Sequence, residues 1–338
     1  MPRRLTAVCA SLCVACALGR AAGSADGGDS HKCRPILSYT PGTYRLKRQE
    51  NTSFSVAGKV GGGDARIERL MVLDIDVGKP DAKGLKRLTM SFRRFRLHTV
   101  GGGLAQTLDT DNPTDDVVGK VGSIMSRSIR RMTREARMVV DVEKGGKIWI
   151  VKGLDAFWDR QADKASADAE RVREMKRGHG EALLESLMLI WWQFLPEEPV
   201  GAGSRWKTNV TSPVAYLGPI ALSQECWVHQ MDKADNGHNV LAIRFRRTGK
   251  EDKAASRPSG KPDLAFRDMN LRQTGTLWFD VEAHMPKRLV INTRGRAVDA
   301  RRRAGAAKNV IQIQQRLEAT IEPAPAGAAT GKSPPARP

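Results

Sequence analysis

Alternation of apolar and polar residues, interrupted by one long helical stretch, limits what this chain can fold into more than any other feature. Arg66–Val77 sets Ile67, Leu73, Ile75 and Val77 among charged neighbours, and Leu85–Leu97 does the same with Leu88, Met90, Phe92, Phe95 and Leu97. A two-residue period sends successive side chains to opposite faces, so these runs predict a sheet with one buried and one wet face. Thr43–Val56 alternates in part. Met138–Val142 and Lys147–Val151 flank Glu143-Lys144-Gly145-Gly146, a hairpin signal because glycine accepts the positive φ of such turns. Gly61-Gly62-Gly63 and Gly101-Gly102-Gly103 lack a following helix pattern and read as hairpin loops. Beyond Pro196, strands are expected at Trp206–Thr211, Ala221–Met231, Asn239–Arg247, Asn270–Val281, Arg288–Thr293 and Val310–Ile321. Thr248–Asp263 between them is a polar loop.

The middle of the chain reads as helix. Thr114 caps a segment whose first turn holds Asp115 and Asp116, and Val118, Val121, Met125, Ile129, Met132 and Ala136 follow at three- and four-residue steps. Arg127, Arg130, Arg131, Arg134 and Arg137 keep the same steps and form a basic stripe, a candidate for anionic lipid or polymer and also the form of an ordinary solvated helix face. Asp155–Arg177 is modestly amphipathic. Glu181–Leu195 is apolar on nearly all sides and expected to be buried, while its Glu181, Glu185 and Gln193 leave too short a run for a membrane span. Strands, helices, then strands predict an α+β fold: a large curved antiparallel sheet covered by helices from about 114–195. Leu187, Trp191 and Phe194, with Trp206, are the candidates to line or plug an apolar cavity beneath that cover.

Met1–Ala25 has the form of a secretory signal, with Arg3 and Arg4, the apolar run Leu5–Gly19 and small residues at Gly23-Ser24-Ala25. Its core is shorter than the roughly 20 apolar residues of an anchor. The expected organisation is signal 1–25, tether 26–40, one domain over 41–322 and a tail 323–338 without core-forming residues. Cys16 in Leu12-Cys13-Val14-Ala15-Cys16 offers a lipid-anchored alternative. The signal carries three arginines and no acid, so the formal charge falls from +19 to +16 on its removal. Such charge favours anionic membrane surface or polysaccharide, and export argues against nucleic acid. Cys33 and Cys226 remain outside the signal, and an even count in an oxidising compartment makes them a disulfide candidate.

No catalytic signature emerges. The six histidines include no H-E-x-x-H pair, there is no G-x-S-x-G elbow, and neither a G-x-G-x-x-G nor a P-loop occurs at a strand-to-helix turn. Asp109–Asp116 is acidic, but an EF-type loop needs glycine and glutamate where Thr114 and Lys120 stand. Asp74 and Asp76 share a strand face and read as solvated charges. No metal, cofactor or catalytic residue is therefore expected.

Pro196-Glu197-Glu198-Pro199-Val200-Gly201-Ala202-Gly203-Ser204-Arg205-Trp206 resembles a Pro-x-x-Pro-Val-x-x-Gly-x-x-Trp signature of an uncharacterised family of secreted bacterial proteins. Gly275-Thr276-Leu277-Trp278-Phe279-Asp280 and Met285-Pro286-Lys287-Arg288-Leu289 resemble that family's closing hairpin, except that His284 stands where a glycine or small polar turn residue is usual. The likeness covers roughly Pro41–Glu322. The overall plan is also similar to the periplasmic lipoprotein-carrier fold, a half-barrel around an apolar cavity. The resemblance implies a fold and a greasy cavity, and no catalytic residue. The expected function is a non-enzymatic exported envelope protein binding a lipid or other apolar ligand; the alternative is an interaction module that meets anionic envelope components through its basic surface.

Overall fold

The computed structural model describes residues 32–57, 64–101, 104–112, 130, 133, 137–144, 148–152, 191–214, 218–251, 266–299 and 310–324. The first half contributes β1 (Gly42–Ala57), β2 (Ala65–Pro80), β3 (Lys86–Gly101), β4 (Leu104–Asp109), β5 (Arg137–Val142) and β6 (Ile148–Lys152). A 3-10 turn, Trp191–Phe194, precedes β7 (Arg205–Val214), β8 (Gly218–Lys233), β9 (Asn239–Glu251), β10 (Phe266–Asp280), β11 (Met285–Asp299) and β12 (Val310–Pro323). They build one antiparallel sheet in the order β6-β5-β3-β2-β1-β12-β11-β10-β9-β8-β7, with β4 on the far half of β3.

The expected α+β class is thereby corrected: the described residues form an almost purely β structure. Of the helix expected at about 114–136 only Arg130 and Thr133 are described, and both are helical; the one expected from 155 lies outside the described residues up to 190, as does the signal. The strands expected at Met138–Val142 and Lys147–Val151 are present as Arg137–Val142 and Ile148–Lys152, whereas the described end of the helix expected over Glu181–Leu195 is a single 3-10 turn, Trp191–Phe194. Among the described residues no helix is long and apolar enough to cross a membrane.

Burial follows the two-residue period that the sequence carries. Along β2, Met71, Leu73, Ile75 and Val77 are buried in alternation with more accessible neighbours, and β3 repeats this with Leu88, Met90 and Phe92. One apolar cluster joins residues of β2, β3 and β5 with residues of β8, β9 and β10, so the sheet curls around its own inner face. Leu37, Tyr39, Trp191 and Phe194 complete that cluster from outside the strands. Burying a side chain of this size stabilises the fold by roughly 1.5–3 kcal/mol, which is why the alternation sets which face turns inward.

The segment 33–41 straps one end of the sheet. Cys33 and Val200 exchange backbone hydrogen bonds of 2.9 and 2.7 Å, the Ser38 N–H donates to His284 O, and Lys86 Nζ donates to Tyr39 O at 2.7 Å. His284 adopts φ 54°, the left-handed conformation that explains why a glycine or small polar residue is usual at that turn.

Candidate functional site

Strand register creates a feature of the inner face that no single strand displays. Thr208, Gln224, Arg247, Gln273, Thr293, Gln315, Thr52, Ile67, Thr99 and Gln106 stand directly opposite one another from β7 through β12 to β4, and all but Ile67 are polar. One row beyond them are Val210, Leu222, Gly249, Leu271, Gly295, Ile313, Phe54 and Ala65, all without a polar side chain. A polar belt thus crosses a largely apolar face. Gln224 Nε2 donates to Thr208 Oγ1 at 3.1 Å and to Gln193 O at 2.6 Å, Arg247 Nε donates to Gln224 Oε1, and Arg247 Nη2 donates to Gln193 Oε1. Gln273 Nε2 donates to Thr293 Oγ1 at 3.2 Å, and Gln315 Nε2 to Thr52 Oγ1 at 3.3 Å.

Next to the belt, buried Arg48 and Glu50 pair at 2.9 Å, with Arg69 at 3.5 Å and Gln315 Nε2 at 2.7 Å from the Glu50 carboxylate. Burial pushes the Glu50 carboxyl up, but Arg48 and Arg69 outweigh it and hold it below the ordinary carboxylate range. Burial also draws the Arg48 guanidinium down, opposed by Glu50. Removing either partner would strand a buried charge, so this pair fixes the fold rather than offering chemistry.

A cleft of about 1350 Å³ lies along β7. Ser204–Val210 all line it without a gap, so it follows the edge of that strand, which has no neighbour on its far side among the described residues. Lys144, in the β5–β6 turn near the opposite edge of the sheet, lines it too, as do strap residues 34–37. Its apolar wall is Leu37, Trp192, Leu195, Trp206 and Val210, and its rim carries Arg34, Lys144, Arg205 and Lys207 beside Glu197 and Glu198. Trp192 is 40% exposed, one of two large apolar side chains so open among the described residues.

The residues chosen from the sequence divide accordingly. Trp206 lines the cleft. Trp191 and Phe194 are buried in the core, where Phe194 packs 4.4 Å from Phe245 and beneath Arg247, whose guanidinium carbon is 4.1 Å from the ring centre. Leu187 lies outside the described residues. Of the basic stripe, Arg127, Arg131 and Arg134 lie outside them too; Arg130 is half-buried and donates to Thr110 O and Asn112 O, and Arg137 opens β5 with its side chain exposed. The stripe's assumed helical register therefore does not extend to Arg137. The disulfide is corrected: Cys33 and Cys226 are free thiols, Cys33 on the strap bridge and Cys226 facing inward on β8.

Missing from the sequence reading were Trp192, Leu37 and the cationic rim. A helical period selects Trp191 and passes over its neighbour, whereas about three residues per turn sends adjacent side chains to different sides.

One cluster has metal-ligand composition. The donor atoms of His238, Asp280 and Glu282 lie within 4.8 Å of one another. Their partners give it a structural role. Asp280 is 1% exposed; His238 Nδ1 lies 3.1 Å from its Oδ1, and Lys287 Nζ and the Ala283 N–H also reach it. Glu282 accepts from both the backbone and the side-chain amide of Asn239. Burial pushes the Asp280 carboxyl up, and these donors outweigh it, holding it below the ordinary range. The Lys287 ammonium already supplies the positive charge a metal would bring, and the cluster ties the β8–β9 turn to the β10–β11 turn.

These features define a single-sheet antiparallel β protein with a half-apolar cleft along one edge. Residues 83–280 match a family of unknown function, DUF6263, and the chain belongs to that family. No curated protein matches it. Among solved structures, a study of lipid–protein interactions in lipovitellin is similar over 87% of this chain and 27% of that one, at 12% identity and TM-score 0.46. An outer membrane channel from Pseudomonas putida F1 is similar over 85% and 97% at 6% identity and TM-score 0.22, and the β domain of the Bordetella autotransporter BrkA over 83% and 99% at 9% and 0.22. The chain thus spans about a quarter of the lipovitellin chain, and these likenesses are too distant to transfer an activity. None of the three is a periplasmic lipoprotein carrier.

Proposed function

We propose that this is an exported, non-enzymatic envelope protein that shelters a lipid or other apolar ligand in the cleft along β7. The carrying observation is the cleft itself: about 1350 Å³, walled by Leu37, Trp192, Leu195 and Trp206. That exceeds the usual 300–1,000 Å³ or so of a small-molecule site and leaves ample room for a long acyl chain. The signal-like Met1–Ala25 supports export. Native mass spectrometry of protein purified from its own envelope, followed by lipid extraction, tests this. One lipid per chain is the expected result; a bare polypeptide mass reproduced under gentle conditions rejects it.

A second reading, docking on anionic envelope material, rests on the outer face. Arg272 and Arg294 stand directly opposite each other, both exposed, with exposed Arg296 two residues along β11. Like charges in that register are unfavourable without an anion to share. Sedimentation with anionic vesicles, compared with an Arg272→Gln/Arg294→Gln variant, tests it; equal binding by both proteins removes this reading.

A further inference from the structure

The charges around the cleft specify more than an apolar occupant. Arg34, Lys144, Arg205 and Lys207 meet there from the strap, the β5–β6 turn and β7, against the two carboxylates of Glu197 and Glu198, leaving a net charge of +2 on the rim. None of these four cations forms an ion pair among the described residues. Several arginines elsewhere on the surface are paired: Arg45 with Asp74, Arg87 with Asp141, Arg94 with Asp109, Arg246 with Glu225 and Arg288 with Glu318. Among the described residues the rim therefore gathers four cations without an ion pair, although Glu225 stands opposite Lys207 in the β7–β8 register, and it does so beside an apolar wall.

The geometry points to an anionic amphiphile as the ligand, its hydrocarbon on Trp192, Leu195 and Trp206 and its headgroup held at the rim by Arg34, Arg205, Lys207 and Lys144. This inference rests on the cleft reading above. The shared chemistry is a terminal carboxylate or phosphate on an acyl chain. Arginine suits it through paired N–H donors, and lysine as a point charge. Exposed Arg205 and Lys207 lie two residues apart on β7, on the same side of the strand, so they approach one headgroup together.

Three lipids with the same oleoyl chain separate head from tail: oleic acid, oleoyl lysophosphatidic acid and neutral monooleoylglycerol. Each is titrated against full-chain protein loaded with the neutral dye N-phenyl-1-naphthylamine. The expected result is displacement by an anionic lipid at about tenfold lower concentration than by the neutral one, as charge-assisted hydrogen bonds imply. Whichever anionic lipid displaces better identifies carboxylate or phosphate as the head. An Arg205→Glu/Lys207→Glu variant is expected to lose that preference, its displacement by anionic and neutral lipid converging, and added salt narrows the gap in the wild type. Lys144→Glu is a second, independently placed rim variant with the same expected direction. Equal displacement by all three lipids overturns the headgroup inference and leaves an apolar cleft standing. If none displaces the dye and none binds directly, the cleft reading falls with it.

Discussion

Asp280 offers the sharpest test of how this sheet is held together. Its carboxylate is 1% exposed and accepts from the Ala283 N–H at 2.9 Å, with Lys287 Nζ and His238 Nδ1 each at 3.1 Å. Asp280→Ala removes the acceptor from all three. Lys287 and His238 are themselves 41% and 38% exposed, so water recovers much of their share, and the main loss is the buried acceptor of the β10–β11 turn. The expected cost is about 3 kcal/mol near neutral pH. In a domain of this size that lowers Tm by about 6 °C. The pH dependence carries a definite sign. The native carboxyl titrates below its ordinary value of about 3.9, so its contribution is present above that value and is lost as pH falls through the lower native one. Thermal unfolding followed by circular dichroism should show the gap between wild type and variant closing towards about pH 2. A gap under about 1 °C near neutral pH, or one unchanged in strong acid, refutes the reasoning.

Gly275→Ala should abolish folding, because the added Cβ would sit 2.0 Å from Val290 O and 2.5 Å from Phe245 Cζ; a cost above about 3 kcal/mol is expected, read as loss of the cooperative melt. Cys226, buried and with its thiol pushed up to about 12 by that burial, should resist maleimide in the native protein and react only after unfolding, whereas the half-buried Cys33 reacts first; peptide mapping shows the order. Trp192→Ala should leave stability within about 0.5 kcal/mol yet lower dye and lipid binding together, because the ring is exposed on the cleft wall; unchanged binding would count against the cleft.

The strands were legible because each carries its own alternation. Met71, Leu73, Ile75 and Val77 announce the inner face of β2 without reference to any other strand, and the strands on either side of Glu143-Lys144 pair as β5 and β6. β4 was not read, since Leu104–Asp109 runs directly into acidic residues that suggest a loop. What lies between strands is a different kind of information. The belt joins Thr52 to Gln315 and Gln224 to Arg247, pairs whose separation in the chain hides their register. The cleft failed to appear for the same reason: Leu37, Lys144 and Lys207 converge only after the sheet has curled. The expected helical cover drew on Trp191 and Phe194 as part of an apolar helix face, but they enter the core from a 3-10 turn, and the inner face is closed in part by the strap residues Leu37 and Tyr39.

The polar belt bears on how the twelve strands of the described residues find their partners. Apolar alternation penalises a slip of one residue, which turns a whole buried face to water, but it is blind to a slip of two, which returns apolar to apolar. The belt breaks that degeneracy. Shifting β9 by two residues would set Arg247 against Cys226 or Leu222 instead of Gln224, and against Gly275 or Leu271 instead of Gln273. Each amide or guanidinium so displaced is buried without its partner, at about 1–3 kcal/mol apiece. Repeated from β7 to β4, the row acts as a line drawn across a stack of cards: the sheet is correctly assembled only when the line is straight.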